Sequence, residues 1–162
     1  MPKRTLSLLR DGDALPATPG ADDFQRQLSE RGSNDIHRLL HWSIQHDLKA
    51  DWIYASPATR TQSSARPFAE AWACPQIDLT ELYLADPHQL LDCLRQTPAD
   101  IQHVLLVAHN PGLSYLASDL DQQQQPSSLP AAGLVSFSFT AEWVDLTLGC
   151  AERTLILAPT DY

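Results

Sequence analysis

Three short polar clusters in this sequence could do chemistry together. Arg10, Asp11, Gly12 and Asp13 follow the apolar run of TLSLLRDGDA. Ser56 opens SPATRTQSS, which carries Arg60. His109 and Asn110 follow the apolar run of VLLVAHNPG. Two arginines and a histidine are the residue types of an anion site, with phosphate the best fit. Guanidinium groups hold phosphoryl oxygens in pairs and helix N-termini add backbone donors. An imidazole can serve as nucleophile, proton carrier or charged clamp. Taken singly, each residue reads as a surface cation or a structural histidine; their joint placement after strands points to a site. Asp11 keeps four roles open: nucleophile, metal ligand, turn former, or substitute for another residue.

The clusters need elements to bring them together. Five apolar runs read as buried strands: Thr5–Leu9, Trp52–Ser56, Val104–Ala108, Leu134–Phe139 and Thr154–Ala158. Helical spacing fills the stretches between the first four. Ser29 is placed to cap a helix running to about Asp47, with Ile36, Leu39, Leu40 and Ile44 on one face. Ala58 to Trp72 is a second helix, which Pro67 is expected to bend or restart. His88 to Gln96 is a third, with Pro87 in its first turn, and Pro111 to Leu120 a fourth. Asp119 to Gly133 is polar and then proline-containing, a surface loop. Strands alternating with helices predict a three-layer α/β/α sandwich with a mostly parallel central sheet, residues 1–162 forming a single domain. In such sheets ligands bind beyond the carboxyl ends of the strands, which is where all three clusters fall.

The totals narrow the function. A formal charge of −9 argues against a nucleic-acid partner, since phosphate backbones require a basic face. With two lysines, Lys3 and Lys49, any phosphate site must rest on arginine. Three cysteines without close pairing fit a reducing compartment, and no run approaches membrane-spanning length, so a cytoplasmic location with no membrane partner is expected. The glycines at 12, 20, 32 and 112 form no dinucleotide fingerprint, and no cofactor is expected. His37 and His41 have a zinc-like spacing but no third ligand in view, and Cys93 reads as a packing residue.

The three motifs, in this order, resemble the histidine phosphatase superfamily, whose fold is phosphoglycerate mutase-like. LLRDGDA, SPATRTQSSA and VLLVAHNPG are most similar to its small SixA-type phosphohistidine phosphatases; FQRQLSERG and LPAAGLVSFSF extend the resemblance over most of the chain. It implies that Arg10, Arg60 and His109 form the phosphate pocket, with Gly12 and Asn110 beside them. The short chain leaves little for a lid, so the implied substrate is a phosphorylated protein, such as a histidine phosphotransfer domain, or a small phosphate ester. Glu81 lies near where many relatives carry an acid that protonates the leaving group, although it reads first as a solvated loop carboxylate.

One position departs from the family. The histidine nucleophile stands between the arginine and the glycine, and here that residue is Asp11. Carboxylates can accept phosphoryl groups, yet aspartate reaches less far than imidazole and repels an anionic substrate. At ~4 Å and an effective dielectric of ~20 that repulsion is ~4 kcal/mol, a factor of about a thousand in affinity. The arginines would screen part of it, or would pair with Asp11 and fill the pocket with an internal anion. The resemblance thus implies a phosphatase with reduced activity, or a silent relative that binds phosphate or a phosphoprotein. Asp11 and Asp13 also have the Asp-x-Asp spacing of the magnesium-dependent haloacid dehalogenase type. That likeness fails: no lysine follows Lys49, and no acidic pair follows the third strand. No metal is expected.

Overall fold

A computed structural model describes residues 2–162. Its elements are β1 (Arg4–Arg10), α1 (Glu30–Gln45), β2 (Trp52–Ala55), α2 (Thr59–Trp72), β3 (Gln76–Asp78), α3 (Pro87–Arg95), β4 (His103–Ala108), α4 (Gly112–Leu120), β5 (Leu134–Phe139) and β6 (Glu152–Leu157). One six-stranded sheet runs in the order β3-β2-β4-β1-β5-β6. β1, β2, β3 and β4 are mutually parallel, while β5 runs antiparallel to β1 and β6 antiparallel to β5. The mostly parallel α/β/α sandwich expected from the sequence is the fold.

Alternating side chains divide between the two faces. Leu6 and Leu8 of β1, with Val104 and Leu106 of β4, pack against α3 and α4. Leu9, Ile53, Leu105 and Val107 pack against Ile36 and Leu39 of α1 and Phe68 of α2. Four details differ from the sequence expectation. β3 is an additional short strand, too brief to leave a pattern. The last two strands form an antiparallel pair, because no helix separates them to permit a parallel crossover. Pro67 interrupts nothing: α2 runs unbroken through it. Ile44 faces solvent at 58% exposure rather than joining the stripe of Ile36 and Leu39. No helix among the described residues is long and apolar enough to cross a membrane.

Register brings the clusters together. Arg10 pairs with Ala108 and Ala55 with Val107, so Asp11, Ser56 and His109 leave the sheet at one level. The chain after β1 is then pressed against the start of α1. Ser29 caps α1 by accepting from the Gly32 N–H, while its hydroxyl donates to Asp13 Oδ2 at 2.7 Å. A Cβ at Gly32 would sit 2.1 Å from the Asp13 carbonyl oxygen. Only glycine permits this approach, and it fixes the segment that carries Asp11. Gly32→Ala is therefore expected to lower stability by about 1–3 kcal/mol in urea unfolding, the usual cost of overpacking against backbone. An unchanged midpoint would mean that α1 can move off Asp13.

Candidate active site

The carboxyl ends of β1, β2 and β4 open into a cavity of about 270 Å³. Arg10, Asp11, Gly12, Arg60, His109 and Asn110 all line it, as do Asp13, Asp23 and Arg26. At its floor, Asp11 is 5% exposed and His109 4%. Asp11 Oδ2 accepts two hydrogen bonds, from Thr61 Oγ1 at 3.0 Å and His109 Nδ1 at 2.9 Å, and is ion-paired with Arg60 Nε at 3.0 Å. No donor among the described residues meets Oδ1. The Gly12 N–H donates to Ser64 Oγ at 3.0 Å, tying the same loop to α2.

His109 is held at both nitrogens. Nδ1 donates to Asp11, and Nε2 lies 2.7 Å from Ser56 Oγ. Asp11, His109 and Ser56 thus have the heavy-atom spacing of a hydrolase triad. Ser56, however, is completely buried and accepts from the Ala58 N–H at 3.3 Å, so its hydroxyl positions the imidazole and cannot reach a substrate. The Tyr83 ring stands edge-on to His109, 5.6 Å between centroids.

Arg60 is occupied on every nitrogen. Nε serves Asp11; NH1 donates to the Asp23 carbonyl at 2.9 Å and NH2 to Asp23 Oδ2 at 3.2 Å. Asp23 is in turn gripped by the Tyr83 hydroxyl at 2.6 Å and by Arg26 NH1 at 3.2 Å. The Tyr83 hydrogen bond, aided by Arg26 and Arg60 against the cost of burial, lowers the Asp23 pKa to about 2. Asp23 is therefore an anion at neutral pH, unable to donate a proton. The same bond holds the Tyr83 hydroxyl above its ordinary pKa.

The remaining residues singled out in the sequence are placed as follows. Arg10 NH1 donates to the Leu129 carbonyl at 3.0 Å and the side chain borders the cavity. Asn110 also lines it, but its amide is committed to structure: Nδ2 donates to Leu129 O, and Oδ1 accepts from the Ser114 N–H and hydroxyl. Glu81 is exposed in the 3-10 turn Thr80–Leu82, accepts from the Thr80 hydroxyl, and is not among the cavity-lining residues. His37 and His41 are exposed on α1, and no group of three or more metal-ligating side chains occurs among the described residues. Cys93 is buried in the core, where loss of solvation pushes its thiol up to about 12.

Asp23, Arg26, Thr61 and Tyr83 were not singled out from the sequence. Asp23 stands one residue before the FQRQLSERG stretch quoted for the resemblance, and Tyr83 two after Glu81. A carboxylate and an arginine three residues apart in a loop were the available signal.

No protein-family model and no curated protein matches the sequence. Solved structures do match over nearly the full chain. A candidate phosphohistidine phosphatase SixA from Nakamurella multipartitia superposes with a TM-score of 0.86 at 27% identity, covering 98% of each chain. A second candidate SixA, from Agrobacterium tumefaciens, gives 0.83 at 24% identity, covering 98% of this chain and 99% of that one. The protein histidine phosphatase SixA complexed with tungstate gives 0.81 at 20% identity, covering 96% and 97%.

Because Arg60 and Asp11 are both buried and mutually paired, removing one strands the other. Arg60→Met is expected to cost about 3–5 kcal/mol in chemical unfolding. Asp11→Asn in the same chain is expected to restore about 1–3 kcal/mol of that loss. Simple additivity of the two changes would show that the pair is not coupled.

Proposed function

We propose that this chain, which shares its fold with SixA phosphohistidine phosphatases, is a member of the histidine phosphatase superfamily and a phosphoprotein phosphatase directed at phosphohistidine. Its turnover is restrained because Asp11 stands where the family carries its nucleophilic histidine. The observation that carries this reading is the convergence of Arg10, Arg60 and His109 on one open cavity at the carboxyl ends of the strands. Leu84, 57% exposed, borders the cavity, where a residue on a protein surface would approach. Tungstate, the oxyanion bound in one SixA structure, has the tetrahedral form of phosphate.

On this reading the roles are these. Arg10 and the guanidinium of Arg60 hold phosphoryl oxygens. His109 is held by Ser56 at Nε2 and by Asp11 at Nδ1, so Nδ1 meets a phosphoryl oxygen, and offers a route for a proton, only on releasing Asp11. A phosphoramidate leaves readily once its nitrogen is protonated, so no dedicated acid is required, consistent with Glu81 lying away from the cavity and Asp23 being ionised. Asp11 is the weak point. Three donors draw charge from its Oδ2, which leaves Oδ1, on a shorter side chain than histidine, to meet phosphorus.

That same network favours a second reading. Asp11 Oδ2 takes the ion pair with Arg60 Nε and the hydrogen bond from His109 that a phosphoryl oxygen would otherwise take. An internal anion there is what a catalytically silent, phosphoprotein-binding relative would carry.

Asp11→His separates the two, with a phosphohistidine-bearing phosphotransfer domain as substrate and phosphate release as the readout. The restrained phosphatase is expected to show measurable turnover in the native chain, rising about a thousandfold or more in the variant as the ~4 kcal/mol repulsion is removed. Turnover in the variant alone supports the silent relative. Equal turnover in both would show that position 11 carries no nucleophile. Adding Arg60→Ala to Asp11→His should weaken vanadate binding; unchanged binding would put the anion site elsewhere.

A further inference from the structure

Asp23 is a charged residue at the cavity to which this chemistry gives no role, and the one that pairs with Arg60 there. It opens a 3-10 turn in the loop between β1 and α1, about half exposed at the side chain, and its carboxylate is not a surface ornament. Both terminal nitrogens of Arg60, the fork that would grip a tetrahedral oxyanion, point at Asp23: one at its carbonyl, one at its carboxylate. Tyr83 and Arg26 hold that carboxylate in place from the other side. Phe24, the next residue, packs edge-on against Tyr83 at 5.1 Å, so the turn and Tyr83 are fastened as a unit.

We propose that Asp23 is a tethered carboxylate that competes with the substrate anion for Arg60 and so sets the affinity of the site for phosphoryl groups. This rests on the cavity being the phosphate site proposed above. A group attached to the chain competes at a high effective concentration whatever the solution contains. An incoming oxyanion gains the paired hydrogen bonds of the Arg60 fork only when Asp23 turns away. Its measured affinity is then its intrinsic affinity multiplied by the fraction of molecules in which the fork is free. Asp23 is held ionised, so it remains a full competitor throughout the physiological range. Its place is well suited to release. The turn lies in a loop outside the sheet and the Asp23 side chain is 43% exposed, so water can take the place of Arg60 on the carboxylate.

The opposing possibility is that Asp23 aims Arg60 at the substrate, as carboxylates often orient guanidinium groups. The two make opposite predictions. Tungstate binding is measured by calorimetry on the native chain, Asp23→Asn, Asp11→His and the double variant. A competitor that leaves the fork free about one tenth of the time predicts about tenfold tighter binding on Asp23→Asn, in both the native and the Asp11→His backgrounds. Tyr83→Phe, which loosens the carboxylate without altering the charge, should tighten binding by a smaller factor and guards against a folding defect in the first variant. Equal binding on Asp23→Asn overturns the proposal, and weaker binding overturns it and makes Asp23 a positioning residue. If Asp11→His binds tungstate and Asp23→Asn changes nothing, the competitor alone is refuted. If no variant binds, Asp11→His included, the phosphate-site reading falls and the competitor with it.

Discussion

A buried guanidinium with three nitrogens to satisfy governs this site. The Arg60 side chain is 8% exposed, and a charge so withdrawn from water is tolerated only when paired and hydrogen-bonded. The chain supplies two carboxylates, Asp11 and Asp23, from the same connection after β1. One takes Nε and the other the fork. Thr61, His109, Tyr83 and Arg26 are then recruited as partners of those carboxylates. The contacts that Asp11 and Asp23 make with Thr61, His109, Tyr83 and Arg26 are thus traced outward from Arg60 in two steps. An arginine kept free for a ligand would be destabilising in the empty protein, and the internal carboxylates relieve that strain at the expense of affinity, a common tension at binding sites.

This network needs backbone accuracy, which comes from the parallel core of the sheet. The β1–β4 and β2–β4 registers bring Asp11, His109 and Ser56 to one level. Around them the loop 129–133 acts as a brace. The Leu129 carbonyl accepts from both Arg10 and Asn110, while the Ala132 N–H donates to the carbonyls of Arg10 and Asp11. The Tyr162 hydroxyl donates to the Ala132 carbonyl from the far end of the chain. Asn110, which sequence alone places among the anion ligands, belongs by its side chain to this brace: it joins the loop to the first turn of α4.

What the sequence made legible follows from the range of each interaction. Continuous apolar runs marked β1, β2, β4 and β5 to within a residue or so at each end, because strands buried on both faces leave that pattern locally. The residues just beyond β1, β2 and β4 were identified by the same logic and do line the cavity. β3 has three residues, none buried, and left no pattern. The direction of β6 is decided by pairing with β5, not by its own residues. Pro67 was misjudged because its neighbours Phe68 and Trp72 bury a helical face, and tertiary packing outweighs a missing N–H. Asp23 and Tyr83 were invisible for a different reason. They are ordinary loop residues, 37 and 23 positions from Arg60, and only the folded chain joins them. Internal pairing of Asp11 with an arginine was among the outcomes foreseeable from sequence; which arginine was not, and Arg60 takes that part while Arg10 turns to Leu129.

The cavity also shows why counting arginines misstates an anion site. Arg10, Arg26 and Arg60 line it, but so do Asp11, Asp13 and Asp23, so with His109 neutral the formal charges cancel. In a protein whose overall charge is −9, nothing farther away adds a compensating positive field. If the cavity takes phosphate as proposed, attraction must come from local directionality, from which donors face the void, rather than from net charge. Directional donors are the resource that Asp11 and Asp23 consume. A histidine at position 11 would alter both quantities together, removing a negative charge from the floor and releasing Arg60 Nε. The two aspartates are unequal in this respect. Asp11 is buried under three donors and cannot leave, so its effect on the site is permanent. Asp23 sits on a partly exposed turn where water can replace Arg60, so on the proposed reading its hold is reversible.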